Sequence, residues 1–164
     1  MAIIIPAIQA RHNVILAIRD SELQQAYQKI EQCSNDGKHA ASYRINGSLD
    51  DDTKNSIAVQ LTLEGFNAKV DNGVLFVDWI HPKPDTKAAR IWNNTEAAVV
   101  EIVNENVDMI NNAITEAIGL RYFDAVYYAS YDTKHLIQKM VKPFIDAGYK
   151  VEVDNTDNRI AIRW

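Results

Sequence analysis

The sequence of 164 residues has few of the residues that mark several large classes of protein. It contains one cysteine, which excludes an internal disulfide and any metal site built from several thiolates. It has only 6 Gly and 4 Pro, and 47% of its residues are hydrophobic, which excludes a fibrous repeat and an extensively disordered chain. The length therefore accommodates one ordinary domain or two very small ones with a buried core.

Long apolar runs and clusters of basic residues are also missing. No run of about 18 consecutive apolar residues occurs, so the sequence predicts no transmembrane helix. The net charge of −5 and the lack of a Lys/Arg run disfavour nucleic acid and anionic lipid as partners. The opening MAIIIPAIQAR has neither the basic region nor the cleavage pattern of a signal peptide. We expect no secretion through a signal peptide, no membrane association and no nucleic-acid partner.

The most informative feature is a pattern that occurs twice along the chain. The same signals follow one another in the same order near residues 37–80 and near residues 119–164: Gly37, Asp52-Thr53-Lys54, Gly65-Phe66, Val70-Asp71-Asn72 and Trp79, and then Gly119, Asp132-Thr133-Lys134, Gly148-Tyr149, Val153-Asp154-Asn155 and Trp164. Two copies indicate a duplicated small domain and not a solenoid, which needs more repeats. The pattern predicts a first α/β unit at 1–81, a connector with two prolines at 82–86 and a second α/β unit at 87–164.

Each copy is predicted to open with a long helix. The first is expected to begin at Pro6 and to end near Asn35, and the second to begin after Asp85 or Thr86 and to end near Ile118. Apolar side chains recur at helical spacing in both segments: Leu23, Ala26, Tyr27, Ile30 and Cys33 in the first, and Val99, Val103, Val107, Ile110, Ile114 and Ala117 in the second. Gly37 and Gly119 favour a left-handed residue at the end of each helix.

Unbroken helices of this kind would be about 45 Å long and would extend beyond a small sheet. Their amino-terminal portions carry apolar residues that need another surface, either each other or a partner subunit: Ile8, Val14, Ile15 and Leu16, and Ile91, Trp92, Ala97 and Ala98. The alternative is a helix break near Asp20-Ser21 and near Asn94-Thr95, because such residues favour caps.

The remainder of each copy predicts a strand, a second helix and a hairpin. Short oxygen-bearing side chains at Asp50–Asp52 and at Ser130 and Asp132 are typical of helix starts, and Pro143 predicts a kink or a restart. Asn72-Gly73 favours a tight hairpin turn. We therefore predict an α+β fold of two tandem related α-β-α-β-β units, with small, mostly antiparallel sheets packed against long helices. The exposed sheet edges favour either joining of the two sheets or oligomerisation.

Several acidic residues are candidate metal ligands. The run Asp50-Asp51-Asp52 could hold a hard cation, but the glycine and distal glutamate of a calcium loop are absent. Asp51, Asp52 and Asp132 together would suit a metal-using enzyme. The two Asp-Thr-Lys segments, at 52–54 and 132–134, could form twin ligand sites. Helix capping explains all of these residues more simply, so we expect no metal site.

The remaining candidates also favour packing or solvent exposure over chemistry. His12, His39, His81 and His135 lack the spacing of zinc ligands and are predicted at the surface, whereas Cys33 is predicted to be a packed core thiol. An aromatic cluster could stack on bases, but its alternation favours a core strand: Arg121, Tyr122, Phe123, Tyr127, Tyr128 and Tyr131. No phosphate loop, dinucleotide fingerprint or nucleophile elbow occurs. We expect no enzymatic activity, no catalytic residues and no cofactor.

The order of these signals supports a resemblance to a known group of proteins. A long helix ending at Gly37, a helix ending in Gly65-Phe66 and a hairpin closing on Val77-Asp78-Trp79 recur as Gly119, Gly148-Tyr149 and Ile162-Arg163-Trp164. This series resembles small uncharacterised proteins of tailed bacteriophages, although here it is present in two copies. Proteins of that group are mostly virion-associated or accessory.

The resemblance implies a location in the virion or in the host cytoplasm. It also implies a non-enzymatic structural or capsid-associated role that acts by assembly with itself or with other virion proteins. The alternative is a phage accessory protein that binds a host protein or a small nucleotide.

Overall fold

A computed structural model describes residues 7–164, in which long helices alternate with short strands. The order of elements is α1 (Ala7–Asn35), β1 (Ala40–Arg44), α2 (Asp51–Leu63), β2 (Asn67–Asp71), β3 (Val74–Asp78), α3 (Lys87–Gly119), β4 (Asp124–Tyr128), a 3₁₀ helix (Tyr131–Leu136), α4 (Ile137–Asp146), β5 (Lys150–Asp154) and β6 (Arg159–Arg163). The predicted α+β class is confirmed. The helix start predicted at Pro6 lies outside the described residues.

Two separate antiparallel sheets of three strands are present in the described part of the chain. Their orders are β1-β3-β2 and β4-β6-β5, so the last strand of each set lies in the middle. In the first sheet Val77 pairs with both Ala41 and Ala68, and in the second Ile162 pairs with Ala125 and Val151. Apart from the 3₁₀ helix of the second half, the helices and strands follow one another in the same order in both halves. The sheets are separate, so the expected alternative of two joined sheets is wrong.

The chain divides into two compact units, unit 1 (Met1–Thr95) and unit 2 (Glu96–Trp164). The division falls inside α3 and not at the Pro82–Pro84 connector, where the sequence placed the boundary. Ala88 and Ile91, in the first turns of α3, are buried in the core of unit 1, which is why this part of the helix belongs to unit 1.

Unit 1 packs α1 and α2 on one face of its sheet. The predicted stripe of α1 is confirmed, since Ala26, Ile30 and Cys33 are buried while Leu23 and Tyr27 are half-buried against the same core. The remaining buried residues come mainly from α2 and the sheet, and Ile57, Leu61, Leu75 and Trp79 are among the most enclosed. The thiol of Cys33 is a packed core group, as predicted.

Unit 2 packs the remainder of α3 and α4 on its own sheet. The predicted stripe of α3 is confirmed, from Val99 to Ala117. The restart predicted at Pro143 is wrong, because α4 continues through it to Asp146. Met140, Val141 and Phe144 are all buried on one face of α4, and their packing outweighs the single backbone hydrogen bond that proline removes.

Both opening helices are continuous, so the predicted breaks near Asp20 and Asn94 do not occur. Within α3 the Thr95 Oγ1 donates to the Ile91 carbonyl one turn earlier, at 2.8 Å. The predicted start of α2 is confirmed, since Asp50 Oδ1 accepts from the Thr53 N–H at 2.7 Å. Hydrogen bonding by the Thr53 side chain, and next by this backbone N–H, lowers the pKa of Asp50.

Left-handed backbone closes two of the turns that the sequence predicts, at the end of α1 and in the first hairpin. Gly37 ends α1 with φ of +70°, and Asn72 and Gly73 form the hairpin turn with φ of +49° and +74°. At the end of α3 the prediction is wrong, because Gly119 is the last helical residue and Arg121 adopts the positive φ, +63°. The Tyr122 N–H then donates to the Ala117 carbonyl, which closes the helix two residues later than expected.

Candidate interaction surface at the ends of the two hairpins

A tryptophan follows the central strand of each sheet, and in unit 1 this side chain is enclosed. Trp79 is 1% exposed, and its ring meets the Phe66 ring edge to face at 6.3 Å between centroids. Its Nε1–H donates to Thr95 Oγ1 at 2.9 Å, and Ser34 Oγ lies 2.8 Å from the same oxygen. One hydroxyl of α3 therefore links α1, the hairpin and α3 in a buried network with every member satisfied.

Trp164 occupies the equivalent position in unit 2 with almost the same local geometry. Its ring meets the Tyr149 ring edge to face, also at 6.3 Å, and its backbone N–H donates to the Phe123 carbonyl as that of Trp79 donates to His39. Its exposure is nevertheless 42%. In unit 1 the first turns of α3 cover this place, and within unit 2 no element does so.

The glycines that precede the second strand of each sheet show the same difference between the covered Trp79 end and the open Trp164 end. Gly65 and Gly148 have nearly equal φ angles, +94° and +91°. A Cβ at Gly65 would lie 2.4 Å from Thr86 Oγ1 and 2.6 Å from Thr86 Cβ, whereas a Cβ at Gly148 would meet nothing within 4 Å. The Glu64 carbonyl also accepts from the Ala88 N–H at 3.1 Å, so α3 is anchored on this turn of unit 1.

Apolar residues surround the exposed tryptophan of unit 2. Tyr122 and Phe123 are 60% and 77% exposed. They are equivalent to Lys38 and His39 of unit 1, because Tyr122 and Lys38 each donate a backbone hydrogen bond to the preceding helix. Phe123 and His39 likewise each accept one from the tryptophan N–H. Together with Tyr149 and Ala147-Gly148 they form what we call the Trp164 face. Aromatic residues exposed in a group of this kind are typical of protein interfaces.

The sequence interpretation of this aromatic cluster as a core strand is therefore largely wrong. Tyr127 alone among its tyrosines is turned toward the core, where its hydroxyl donates to Asn106 Oδ1 at 2.7 Å. Burial raises the pKa of Tyr127. The other aromatic residues of the cluster are exposed: Tyr122, Phe123, Tyr128 and Tyr131. Because the cluster spans a helix end, a loop and a strand, the alternation of buried and exposed residues that a strand shows does not describe it.

Where α3 begins, a carboxylate of unit 1 is held by several groups. Glu64 Oε1 accepts from the hydroxyl of Tyr27 and, at 3.0 Å, from Gln60 Nε2. Lys87 Nζ lies at an ion-pair distance of 3.5 Å from Glu64 Oε2 and 3.2 Å from the centroid of the Tyr27 ring. Burial acts to raise the pKa of Glu64, but these hydrogen bonds and the charge of Lys87 hold it below its ordinary value.

Glu64→Gln is expected to lower the free energy of unfolding of unit 1 by about 1–3 kcal/mol near pH 7, because the charge-assisted hydrogen bonds are lost. Since the folded-state pKa of Glu64 is lowered, its contribution is present above the unfolded value of about 4.3 and disappears as the pH falls through the folded-state value. Urea unfolding of the unaltered protein and of Glu64→Gln at several pH values across this range measures the difference in their free energies of unfolding. Glu31→Gln, on the exposed surface of α1, is the control, and an equal loss there would contradict the assignment.

A second carboxylate joins α1 to the sheet of unit 1. Glu22 is buried, and its Oε2 accepts from the Tyr43 hydroxyl at 2.7 Å and from the Asn46 N–H at 3.0 Å. Burial and this hydrogen bond raise the pKa of Tyr43 to about 12. Tyr43 and Tyr127 occupy equivalent strand positions, and each is tied to the helix that opens its own unit.

Unit 1 also contains a cleft of about 330 Å³ beside Trp79. Phe66 and Gly65 form part of its wall, and His81 and Lys83 lie at its rim. The carboxylate of Asp78 lines the cleft but already accepts from Asn67 Nδ2 at 2.8 Å. This volume lies at the lower end of the range for small-molecule sites.

The candidate metal ligands of the sequence lie in exposed turns. Asp51 Oδ1 is 3.2 Å from Lys54 Nζ on the first turn of α2, and Asp132 is exposed in the 3₁₀ helix of unit 2. His12, His81 and His135 are exposed, and His39 is half-buried. Within residues 7–164, no three His, Cys, Asp or Glu side chains are grouped closely enough to hold a metal ion.

None of the helices described in residues 7–164 combines the length and the apolar character needed to cross a membrane. The chain matches no protein-family model, no curated protein and no solved structure.

Proposed function

We propose that the protein is a non-enzymatic assembly component, in the setting of a tailed-phage virion, that acts through protein contacts of its Trp164 face. The observation that carries the proposal is the exposure of Trp164, Tyr122 and Phe123 next to one another at one end of unit 2. Such a group is costly to leave in water and is typical of residues that dominate binding energies when a partner encloses them.

Incorporation into particles tests this function. Mass spectrometry of purified phage particles should detect the chain, and Phe123→Ser should reduce its incorporation by about tenfold through the loss of one enclosed aromatic contact. Leu63→Ser is the matched control, because Leu63 is equally exposed but lies on α2 of unit 1. A chain that is absent from particles and strictly monomeric in solution would contradict the proposal.

The cleft beside Trp79 supports a second candidate, the binding of a small nucleotide by an accessory protein. Phe66 offers an aromatic edge, and Lys83 and His81 offer positive or hydrogen-bonding groups for a phosphate. A nucleotide that binds there would raise the Tm of the chain by several degrees, because a ligand stabilises the state to which it binds. A panel of nucleotides that leaves Tm unchanged, for the protein and for Lys83→Ala alike, would reject this candidate.

A further inference from the structure

Asparagine is followed by glycine at two places in the chain, Asn46-Gly47 and Asn72-Gly73. In such a pair the backbone nitrogen of the glycine can attack the side-chain amide carbon of the asparagine, because no Cβ hinders the approach. A C–N bond forms, ammonia leaves, and the product is a cyclic imide. Water then opens the ring at either carbonyl, which leaves aspartate or isoaspartate, the isomer whose backbone runs through the side-chain carbon.

The turn at Asn46 holds the reacting atoms next to each other. Asn46 Oδ1 accepts from the Ser48 N–H at 2.9 Å, so the side chain folds back over the peptide bond that joins Asn46 to Gly47. The same hydrogen bond withdraws electron density from the amide carbon, which favours attack on it. Both residues are exposed, and a Cβ at Gly47 would meet nothing within 4 Å. The folded protein therefore leaves room for the ring and for the entering water.

The second pair has the same sequence but lies in a closed turn. Asn72 and Gly73 are the central residues of the hairpin between β2 and β3, and the flanking residues Asp71 and Val74 pair with each other. Both central residues have positive φ, and the Gly73 carbonyl accepts from the Ile45 N–H at 3.0 Å. Closing the imide ring rotates the backbone of the asparagine, so reaction at Asn72 requires the hairpin to open.

The product at the first pair would lie beside a buried carboxylate. The Asn46 N–H donates to Glu22 Oε2 at 3.0 Å, and Glu22 is 6% exposed. Glu22 also accepts from the Tyr43 hydroxyl, so it joins α1 to β1. A new carboxylate on residue 46 adds a negative charge next to that of Glu22, and like charges repel most strongly where water is excluded. Isoaspartate would also lengthen the backbone between β1 and α2.

We propose that Asn46-Gly47 is a site of spontaneous deamidation, and that the added charge loosens the attachment of α1 to the first sheet. The reaction consumes water and releases ammonia, and it needs no enzyme, oxidant or reductant. It makes the net charge of −5 more negative by one. The inference is independent of the proposed function, because it concerns the turn between β1 and α2 and not the Trp164 face.

Incubation of the full chain at mildly alkaline pH in water labelled with heavy oxygen tests the site. Each conversion incorporates one labelled oxygen, which mass spectrometry of proteolytic peptides locates. We expect Asn46 to convert about tenfold faster than Asn72, because opening of the hairpin precedes reaction at Asn72. Gly47→Ala is expected to slow conversion at Asn46 several-fold, since its methyl group hinders the attack but meets nothing in the fold. Equal rates at the two asparagines, or an unchanged rate in Gly47→Ala, would overturn the assignment.

Hydrogen exchange before and after the incubation tests the loosening. Amides of α1 and β1 are expected to exchange about tenfold faster afterwards, whereas those of unit 2 keep their rates. Asn46→Asp carries the charge without the longer backbone and should reproduce part of the increase before any incubation. Asn46→Ser cannot form the imide and should show no increase. Conversion of Asn46 without faster exchange of α1, or faster exchange in incubated Asn46→Ser, would overturn the link between deamidation and the attachment of α1.

Discussion

Replacing Trp79 with alanine is expected to lower the free energy of unfolding of unit 1 by about 3–5 kcal/mol. The side chain is fully buried, and its removal leaves a cavity between the sheet and α3. It also removes the indole N–H that donates a hydrogen bond to Thr95 Oγ1. Because a domain of this size is stable by only about 5–15 kcal/mol, this loss would leave unit 1 close to unfolding.

Trp164→Ala is the matched control for this substitution, since both tryptophans follow a central strand and meet an aromatic ring at 6.3 Å. Trp164 is 42% exposed, so we expect a smaller loss in unit 2, about 1–2 kcal/mol, at a dilution where the chain is monomeric. Hydrogen exchange of the amides of β3 and β6 reports on the two units separately. Equal losses would show that α3 does not stabilise the Trp79 end.

Gly65→Ala is expected to destabilise unit 1 by about 2–4 kcal/mol, through backbone strain and a steric clash together. The positive φ of Gly65 is unfavourable for alanine, and the added Cβ would lie 2.6 Å from Thr86 Cβ, an atom fixed to the backbone that a rotamer change cannot move. Thermal unfolding, followed with the same amide probes, measures the effect.

Gly148→Ala separates the backbone strain from the steric clash. Its φ is nearly the same as that of Gly65 but its surroundings are open, so the strain alone is expected, about 1–2 kcal/mol. In Gly65→Ala, replacing Thr86 with glycine should recover part of the difference, because the clashing atoms are removed. A Gly148→Ala variant as unstable as Gly65→Ala would argue against close packing of α3 on this turn.

Local chemistry made several parts of the fold predictable. Asp50 caps α2 because a short carboxylate accepts a first-turn N–H, and Asn72-Gly73 forms the hairpin turn because both residues tolerate positive φ. The apolar stripes of α1 and α3 were predictable for a similar reason, since the helical period decides which side chains share a face.

What the sequence did not predict depends on contacts between distant residues. Trp79 and Trp164 end equivalent strands, yet one is enclosed by α3 and the other is exposed, and no neighbouring residue signals the difference. The division inside α3 was missed for the same reason, since Ala88 and Ile91 have the same helical pattern whichever unit they contact. Arg121, and not Gly119, adopts the left-handed conformation, although glycine is the residue that local chemistry favours there.

The participation of α3 in both units has a consequence for work with shortened forms of the protein. A fragment that ends at the Pro82–Pro84 segment would keep all three strands of the first sheet but lose Ala88, Ile91 and Thr95, which leaves the Trp79 indole in water. Such a fragment is prone to aggregate, because it uncovers apolar area that no remaining residue hides. Expression of the first half in isolation therefore needs the chain to extend to Thr95 at least.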